Sequence, residues 1–143
     1  MIIDLHSHFF PVEALQNLGR YQNHAPKLVL DNLRLCLSHG GGLLAFNIWR
    51  LDHSYGLRPE LKSVIPHKPS HYLRKLYFDS IVHSVSALQY LSAVVGADRV
   101  VIGTDYPMAM GDFAAVGKLR QVDVTDAERE MMLGGNAARA LSL

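Results

Sequence analysis

The sequence predicts an α/β fold in which short buried strands alternate with amphipathic helices. Four apolar or β-branched runs indicate strands, at about 2–6, 34–38, 75–80 and 100–104. Helical patterns follow each of the later three runs, and this alternation is typical of a parallel sheet covered by helices. Of the 143 residues, 49% are hydrophobic and 19% are charged, so the chain has enough apolar side chains to form one core. We therefore expect a single domain over residues 1–143.

The helices are predicted from spacing and from residues that begin or end a helix. Gly42 to Leu51 is apolar on one side, and Ser84 to Val95 carries an apolar stripe that Gly96 should terminate. A Pro- and His-rich segment, 52–72, predicts a long surface loop with a short helix after Pro69.

The C-terminal segment contains a helix-opening pattern and two glycines. Thr125 with Glu128 forms a capping box, which predicts a helix to about Leu133. Gly134 and Gly135 should separate that helix from a short terminal helix that ends near Leu141.

Charge, cysteine content and the length of apolar runs limit the partners, disulfides and membrane segments that the sequence predicts. The net charge is +1 and the 14 basic residues are scattered, so nucleic acid and anionic membranes are poor partners. Cys36 is the single cysteine, cannot form an internal disulfide, and is expected to be a buried structural thiol. No apolar run reaches the roughly 18 residues of a membrane span, and no signal-type segment opens the chain. We therefore expect a cytoplasmic protein.

The segment Asp4-Leu5-His6-Ser7-His8 indicates a metal site. Strand side chains alternate between faces, so His6 and His8 would point the same way, and Asp105 after the run 99–103 could join them. Two histidines and a carboxylate are a minimal catalytic zinc set with a position left for water. The alternative is that the histidines only cap a strand while Asp105 starts a turn before Pro107.

A third histidine lies in the sequence Leu37-Ser38-His39-Gly40-Gly41-Gly42, after another apolar strand. Glycines there allow close approach of backbone to a ligand or a tight helix start. The HGGG sequence also occurs as the oxyanion-hole loop of esterases, but those need a G-x-S-x-G turn, which this chain lacks. His39 is therefore better interpreted as a general acid/base beside a metal, since imidazoles exchange protons near neutral pH.

Four segments follow one another along the chain: DLHSHFFP at 4–11, LSHGGGLLAF at 37–46, YFDSIV at 77–82 and DRVVIGTDYPM at 98–108. In this order they resemble the amidohydrolase superfamily, and most closely its aminocarboxymuconate-semialdehyde decarboxylase branch. The resemblance implies a (β/α)8 barrel and a metal-dependent, non-oxidative decarboxylase of an unsaturated or aromatic carboxylic acid. Related members catalyse hydrolysis or hydration instead.

The same resemblance implies roles for individual residues. His6, His8 and Asp105 match ligands of zinc or another divalent metal, and His39 matches the acid/base histidine after the sixth barrel strand. Asp105 would also belong to the catalytic group. Arg50 matches an arginine that reaches toward the substrate site of a neighbouring subunit, which implies a homodimer or larger assembly.

The chain is short for such a barrel. A (β/α)8 barrel typically needs about 250 residues, whereas this chain has 143. The predicted strands match family strands one, six, seven and eight, so the chain would be a partial barrel with an internal deletion near 25–31. Three hypotheses follow: half-barrels that pair into an active dimer, a catalytically silent homologue acting through dimerisation, or a sequence from which internal residues are missing.

Other polar residues near the predicted strands have open roles. Asp4 could support a metal ligand or bond backbone, and Asp79 could orient a catalytic histidine or bond backbone at a strand end. The remaining histidines are expected to be solvated or capping, although His83 could contact substrate; they are His24, His53, His67, His71 and His83.

Overall fold

Three short strands form the sheet in the part of the chain that the computed structural model describes, residues 34–143. They are β1 (Cys36–Leu37), β2 (Tyr77–Asp79) and β3 (Val100–Val101). The sheet is parallel in the order β1-β2-β3, with Leu37 opposite Phe78 and Asp79 opposite Val101. The strands predicted at 34–38, 75–80 and 100–104 are thus confirmed in position, and the strand predicted at 2–6 lies outside the described residues.

Seven α-helices accompany these strands in residues 34–143. They are α1 (Leu44–Leu57), α2 (Leu61–Val64), α3 (Pro69–Leu73), α4 (Val85–Val95), α5 (Ala115–Leu119), α6 (Asp126–Glu130) and α7 (Asn136–Leu141). Short 3-10 turns cover His39–Gly41 and Ala97–Arg99. Each strand therefore leads into helical structure before the next strand begins.

Helix α1 is longer than its pattern predicted, and this corrects the loop expected over 52–72. The helix continues to Leu57 because Tyr55 is buried on the same side as Ala45 and Ile48, and the Tyr55 hydroxyl donates to the carbonyl of Ile65 at 3.2 Å. It ends at Arg58, which takes an extended conformation (φ −120°, ψ 93°) as expected for the residue before Pro59. The short helix after Pro69 is confirmed as α3.

Helix α4 has the boundaries that its sequence predicts. The Ser84 hydroxyl accepts a hydrogen bond from the amide of Ala87, and Leu88, Leu91 and Val95 are buried. Gly96 ends the helix at φ 95°, where a side chain would meet Asp98 and Arg74. Helix α4 therefore supplies a large part of the core stripe.

The two glycines near the C-terminus do not break the chain into separate helices, which corrects the prediction. Met131–Gly135 forms a π-helical turn that joins α6 directly to α7. Glycine costs only about 1 kcal/mol inside a helix. Burial of Met132, Leu133 and Ala137 in and after this turn outweighs that cost.

The core lies on both faces of the sheet. Phe78 and Val100 are opposite each other and pack into a cluster with Ile48 of α1, Leu88 of α4 and Leu119 of α5. Since strand side chains alternate, Tyr77 and Val101 face the other way, where they pack against Ala137 of α7. This two-sided burial is typical of parallel sheets.

Candidate functional site

The carboxyl ends of the three strands bring the predicted polar residues to one edge of the sheet. His39 follows β1, Asp79 is the last residue of β2, and Asp105 follows β3. Functional groups of α/β folds collect at this edge. His39 and Asp105, predicted from distant parts of the sequence, therefore lie on the same side of the fold.

The segment from His39 to Gly42 runs entirely at positive φ. The φ angles are 54° for His39, 60° for Gly40, 73° for Gly41 and 60° for Gly42. A Cβ on Gly40 would lie 2.4 Å from Val82 Cγ1, and one on Gly41 would lie 2.8 Å from the Phe78 ring. Gly40 and Gly41 thus allow the loop to approach β2 and the residues after it.

All four amides of the HGGG segment have acceptors within the protein. The amides of His39 and Gly40 donate to the two carboxylate oxygens of Asp79, each at 2.9 Å. The Gly41 amide donates to the Ser38 carbonyl at 2.9 Å and the Gly42 amide to the His39 carbonyl at 3.0 Å. An oxyanion hole requires amides aimed at the reacting oxygen, so the esterase interpretation of this loop has no structural support.

Asp79 is completely buried and is the residue of this site that the predicted set omitted. Besides the two loop amides, its Oδ1 accepts from the Ile81 amide at 3.0 Å. Bonding to backbone, one of the two roles open from the sequence, is observed, and one of the bonded amides belongs to His39. The sequence signal that could have identified Asp79 was a carboxylate near the end of the apolar run 75–80.

Asp105 is buried, with 3% of its surface exposed, and also has a left-handed backbone at φ 60°. Its carbonyl accepts from the Met108 amide at 2.8 Å, which forms the turn that the alternative interpretation expected. The turn uses the backbone of Asp105, so it does not conflict with a ligand role for the carboxylate.

The loop after Asp105 is closed by contacts that the sequence did not indicate. The Asp112 amide donates to the Thr104 carbonyl at 2.8 Å. The buried Asp112 carboxylate pairs with Lys118 of α5 at 2.7 Å. This ion pair anchors the loop that carries Asp105 to helix α5.

The predicted metal set is only partly described by the structure. His6 and His8 lie outside residues 34–143, so Asp105 is the predicted ligand that the structure locates. Within residues 34–143, no three His, Cys, Asp or Glu side chains are grouped so that they could hold a metal ion. Whether His6 and His8 complete the predicted set with Asp105 is a question for the metal analysis proposed below.

The other predicted residues that fall within 34–143 are exposed. Arg50 is exposed on α1, and His53 of the same helix is exposed too. His83 is exposed after β2 and is left-handed at φ 56°. His67 and His71 are exposed, with ring centroids 4.3 Å apart, and His24 lies outside the described residues.

A surface cavity of about 390 Å³ lies beside helices α1, α3 and α4. Its lining includes Trp49, His67, His71 and Arg74, and it contains neither His39 nor Asp105. The cavity is therefore separate from the strand-end site.

Cys36 of β1 is exposed as a residue, contrary to the expectation of a buried thiol. Desolvation nevertheless raises the pKa of its thiol to about 12, and the negative charge of Asp79 contributes to the rise. The thiol is therefore protonated at neutral pH and is a poor nucleophile.

Within the described residues, no helix is long and apolar enough to cross a membrane.

Comparison with known proteins shows similarity to decarboxylases over most of this chain. The chain is 37% identical over 116 residues to the 2-amino-3-carboxymuconate-6-semialdehyde decarboxylase of Dictyostelium discoideum, a match that covers 80% of this chain and 32% of that protein. It spans about a third of the length of the curated relatives it matches.

Solved structures show the same relation. The 5-carboxyvanillate decarboxylase of Sphingomonas paucimobilis superimposes with a TM-score of 0.70 at 30% identity, over 92% of this chain and 40% of that one. A dihydroxybenzoic acid decarboxylase of Polaromonas, solved with manganese and 2-nitroresorcinol, shares the fold with a TM-score of 0.67 at 20% identity, over 96% and 48%.

These neighbours are barrel enzymes of which this chain covers less than half, and the described strands are parallel with helices between them. The predicted partial (β/α)8 barrel is therefore confirmed. The amidohydrolase family model matches residues 3–143. Because that match spans nearly the whole sequence, the chain belongs to the amidohydrolase family.

Proposed function

We propose that this chain acts as a divalent-metal-dependent, non-oxidative decarboxylase of an unsaturated or aromatic carboxylic acid. The observation that carries the proposal is the placement of His39 and Asp105 at the carboxyl edge of one parallel sheet. The matched relatives support it, because those described above are all named decarboxylases.

The proposed metal ligands are His6, His8 and Asp105. Two imidazoles and one carboxylate suit zinc and other first-row divalent ions, and they leave room for water or substrate. Asp105 fits this role because a buried carboxylate is held at the strand end. We propose zinc, and manganese, as in the Polaromonas neighbour, is the main competitor. The bound ion would supply a positive charge that draws the substrate to the site and polarises its oxygens.

His39 is proposed as the proton donor. Its imidazole would protonate the carbon that bears the carboxylate. The bond from that carbon to the carboxylate then breaks, and its electron pair remains with the substrate while carbon dioxide leaves. His39 regains a proton from water to complete the cycle. The exposed position of His39 allows such exchange with solvent.

Arg50 is proposed to bind a substrate carboxylate in the site of a neighbouring subunit. It is exposed on α1, and a guanidinium can form two parallel hydrogen bonds to a carboxylate. This role requires a homodimer or larger assembly.

The predicted cytoplasmic localisation stays a prediction.

The test combines metal analysis with assays of carbon dioxide release. The acids assayed are 5-carboxyvanillate and 2,6-dihydroxybenzoate, for which structurally similar decarboxylases are named, and other aromatic acids. We expect near-stoichiometric divalent metal in the wild type and its loss in His6→Ala and Asp105→Asn, because each removes a ligand. His39→Asn should keep the metal but lower kcat by about 10²- to 10⁴-fold, the usual contribution of a general acid.

Asp123→Asn, at an exposed position before α6, makes the same change as Asp105→Asn outside the proposed site and interface, and it should behave as the wild type. Metal retention without carbon dioxide release, but with hydrolysis of esters or amides, would favour the hydrolase alternative. A folded wild type with neither metal nor turnover would contradict the proposal.

A catalytically silent homologue that acts through dimerisation is the second candidate. The observation that favours it is length, since the chain spans about a third of its curated relatives. It predicts a stable dimer without metal in the same measurements.

A further inference from the structure

We propose that Asp79 is a positioning residue that holds His39 in place for proton transfer. This inference deepens the proposed function, because it rests on His39 as the proton donor. Asp79 itself would act through the backbone of the HGGG segment and would not touch substrate.

The carboxylate of Asp79 connects β2 to the loop after β1. Oδ2 accepts from the His39 amide, and Oδ1 accepts from the amides of Gly40 and Ile81, at distances of 2.9 to 3.0 Å. The residue has no exposed surface. Hydrogen bonds to a charged acceptor are roughly twice as strong as neutral ones, so this buried carboxylate is a firm attachment point.

The loop needs such an attachment because its backbone conformation is unfavourable. His39 has a left-handed φ of 54°, a conformation that is sterically unfavourable for a residue with a Cβ. Strained conformations persist where surrounding structure over-determines them, and they concentrate at functional sites. The two hydrogen bonds to Asp79 provide that constraint directly at His39 and its neighbour.

Packing from the same strand limits the remaining movement. Val82 approaches the Cα of Gly40 so closely that a Cβ there would lie 2.4 Å from Val82 Cγ1. The Phe78 ring similarly occupies the space beside Gly41. Residues of β2 and of the turn after it thus contact three consecutive loop residues, 39–41. The hydrogen bonds in this contact are accepted by Asp79.

The variant Asp79→Asn tests the inference because it keeps the size of the side chain while removing one acceptor. If the substituted amide keeps the two bonds at Oδ1, its NH2 group faces the His39 amide, so two donors oppose each other. Asp123→Asn is the matched control, since Asp123 is exposed and the charge change is the same. Asp79→Glu keeps both acceptor oxygens and serves as the second variant if Asp79→Asn does not fold.

We expect Asp79→Asn to retain its metal, to keep KM within about twofold and to lower kcat by about 10- to 100-fold, the range for a misplaced catalytic group. Amide hydrogen exchange at His39 should accelerate at least about tenfold, because a buried charged acceptor is lost, while exchange at the core amide of Val100 is unchanged. Asp79→Glu should recover part of kcat.

Equal kcat in Asp79→Asn and Asp123→Asn, or a loss of kcat that matches the unfolded fraction, would overturn the inference. Unchanged exchange at His39 would overturn it as well. If the wild type releases no carbon dioxide from any acid tested, the proposed function fails. The exchange measurement then still decides whether Asp79 holds His39.

Discussion

Asn136 is a fully buried amide that joins the C-terminal helices to the segment before β3. Its Nδ2 donates to the carbonyls of Ala97 and Val100 at 2.8 and 2.7 Å, and its Oδ1 accepts from Arg139 at 2.9 Å. Nothing local in the sequence indicates this role, because the two carbonyls lie 39 and 36 residues away.

Replacement of Asn136 by alanine is expected to lower the free energy of unfolding by about 2–4 kcal/mol. The buried carbonyls of Ala97 and Val100 would each lose the hydrogen bond from Asn136, although the Ala97 carbonyl keeps the Val100 amide as a donor. A small cavity would also remain. Asn47→Ala is the control, because the Asn47 side chain bonds only its own helix at an exposed site. Urea denaturation followed by circular dichroism measures both. Equal losses in the two variants would show that the buried bonds contribute little.

Helix α6 shows how a local pattern at the element scale determines a helix start. The Thr125 side chain accepts from the Glu128 amide, and the Glu128 carboxylate accepts from the Thr125 amide at 2.9 Å. The hydrogen bonds from Thr125 lower the pKa of Glu128. A lowered pKa means that this contribution to stability is present above the unfolded-state pKa and is lost as the pH falls through the folded value.

Thr125→Ala is expected to destabilise the protein by about 1 kcal/mol, the typical cost of losing an N-cap. The loss of unfolding free energy should be greater at neutral pH than in acid below the folded-state pKa of Glu128. In that acid the Glu128 carboxyl is protonated, so its hydrogen bond with Thr125 in the capping box is already weakened. Ser86→Ala, at an exposed position inside α4, should be nearly neutral. Thermal unfolding at the two pH values provides the comparison, and a pH-independent loss would contradict the role of Glu128.

At the scale of the whole molecule, helix α1 carries an exposed apolar stripe beside Arg50. Phe46, Trp49 and Leu57 are 71%, 59% and 69% exposed. They recur at helical spacing on a different face from the buried Ala45, Ile48 and Tyr55. Large exposed apolar surfaces of this kind commonly mark contacts with another chain. The stripe is consistent with the proposed assembly in which Arg50 reaches a neighbouring subunit.

Trp49→Glu is expected to convert a wild-type dimer into monomer, because a charge at the centre of an apolar contact is costly to bury. Sedimentation equilibrium over a range of concentrations measures the change. Ala127→Glu, an exposed substitution on α6, should leave the dimer intact. A wild type that is monomeric at all concentrations, or a Trp49→Glu dimer, would reject this face as the interface.

Much of the fold was predictable because its signals are local. Apolar runs located the described strands, Ser84 and Gly96 bounded α4, and Thr125 with Glu128 opened α6. The prediction was wrong at Gly134 and Gly135, and over 52–57, because burial against distant residues outweighed the local preference for a break or a loop.

The candidate site was also predictable only in part. Motifs of fixed spacing were enough to identify the family, the positions of the described strands and the candidates His39 and Asp105. The binding of the His39 loop by Asp79 and the pairing of Asp112 with Lys118 beside Asp105 became visible only in the folded chain. The hydrogen bond from His39 to Asp79 spans 40 residues. Such contacts depend on how strands pair and helices pack, and no local pattern encodes that.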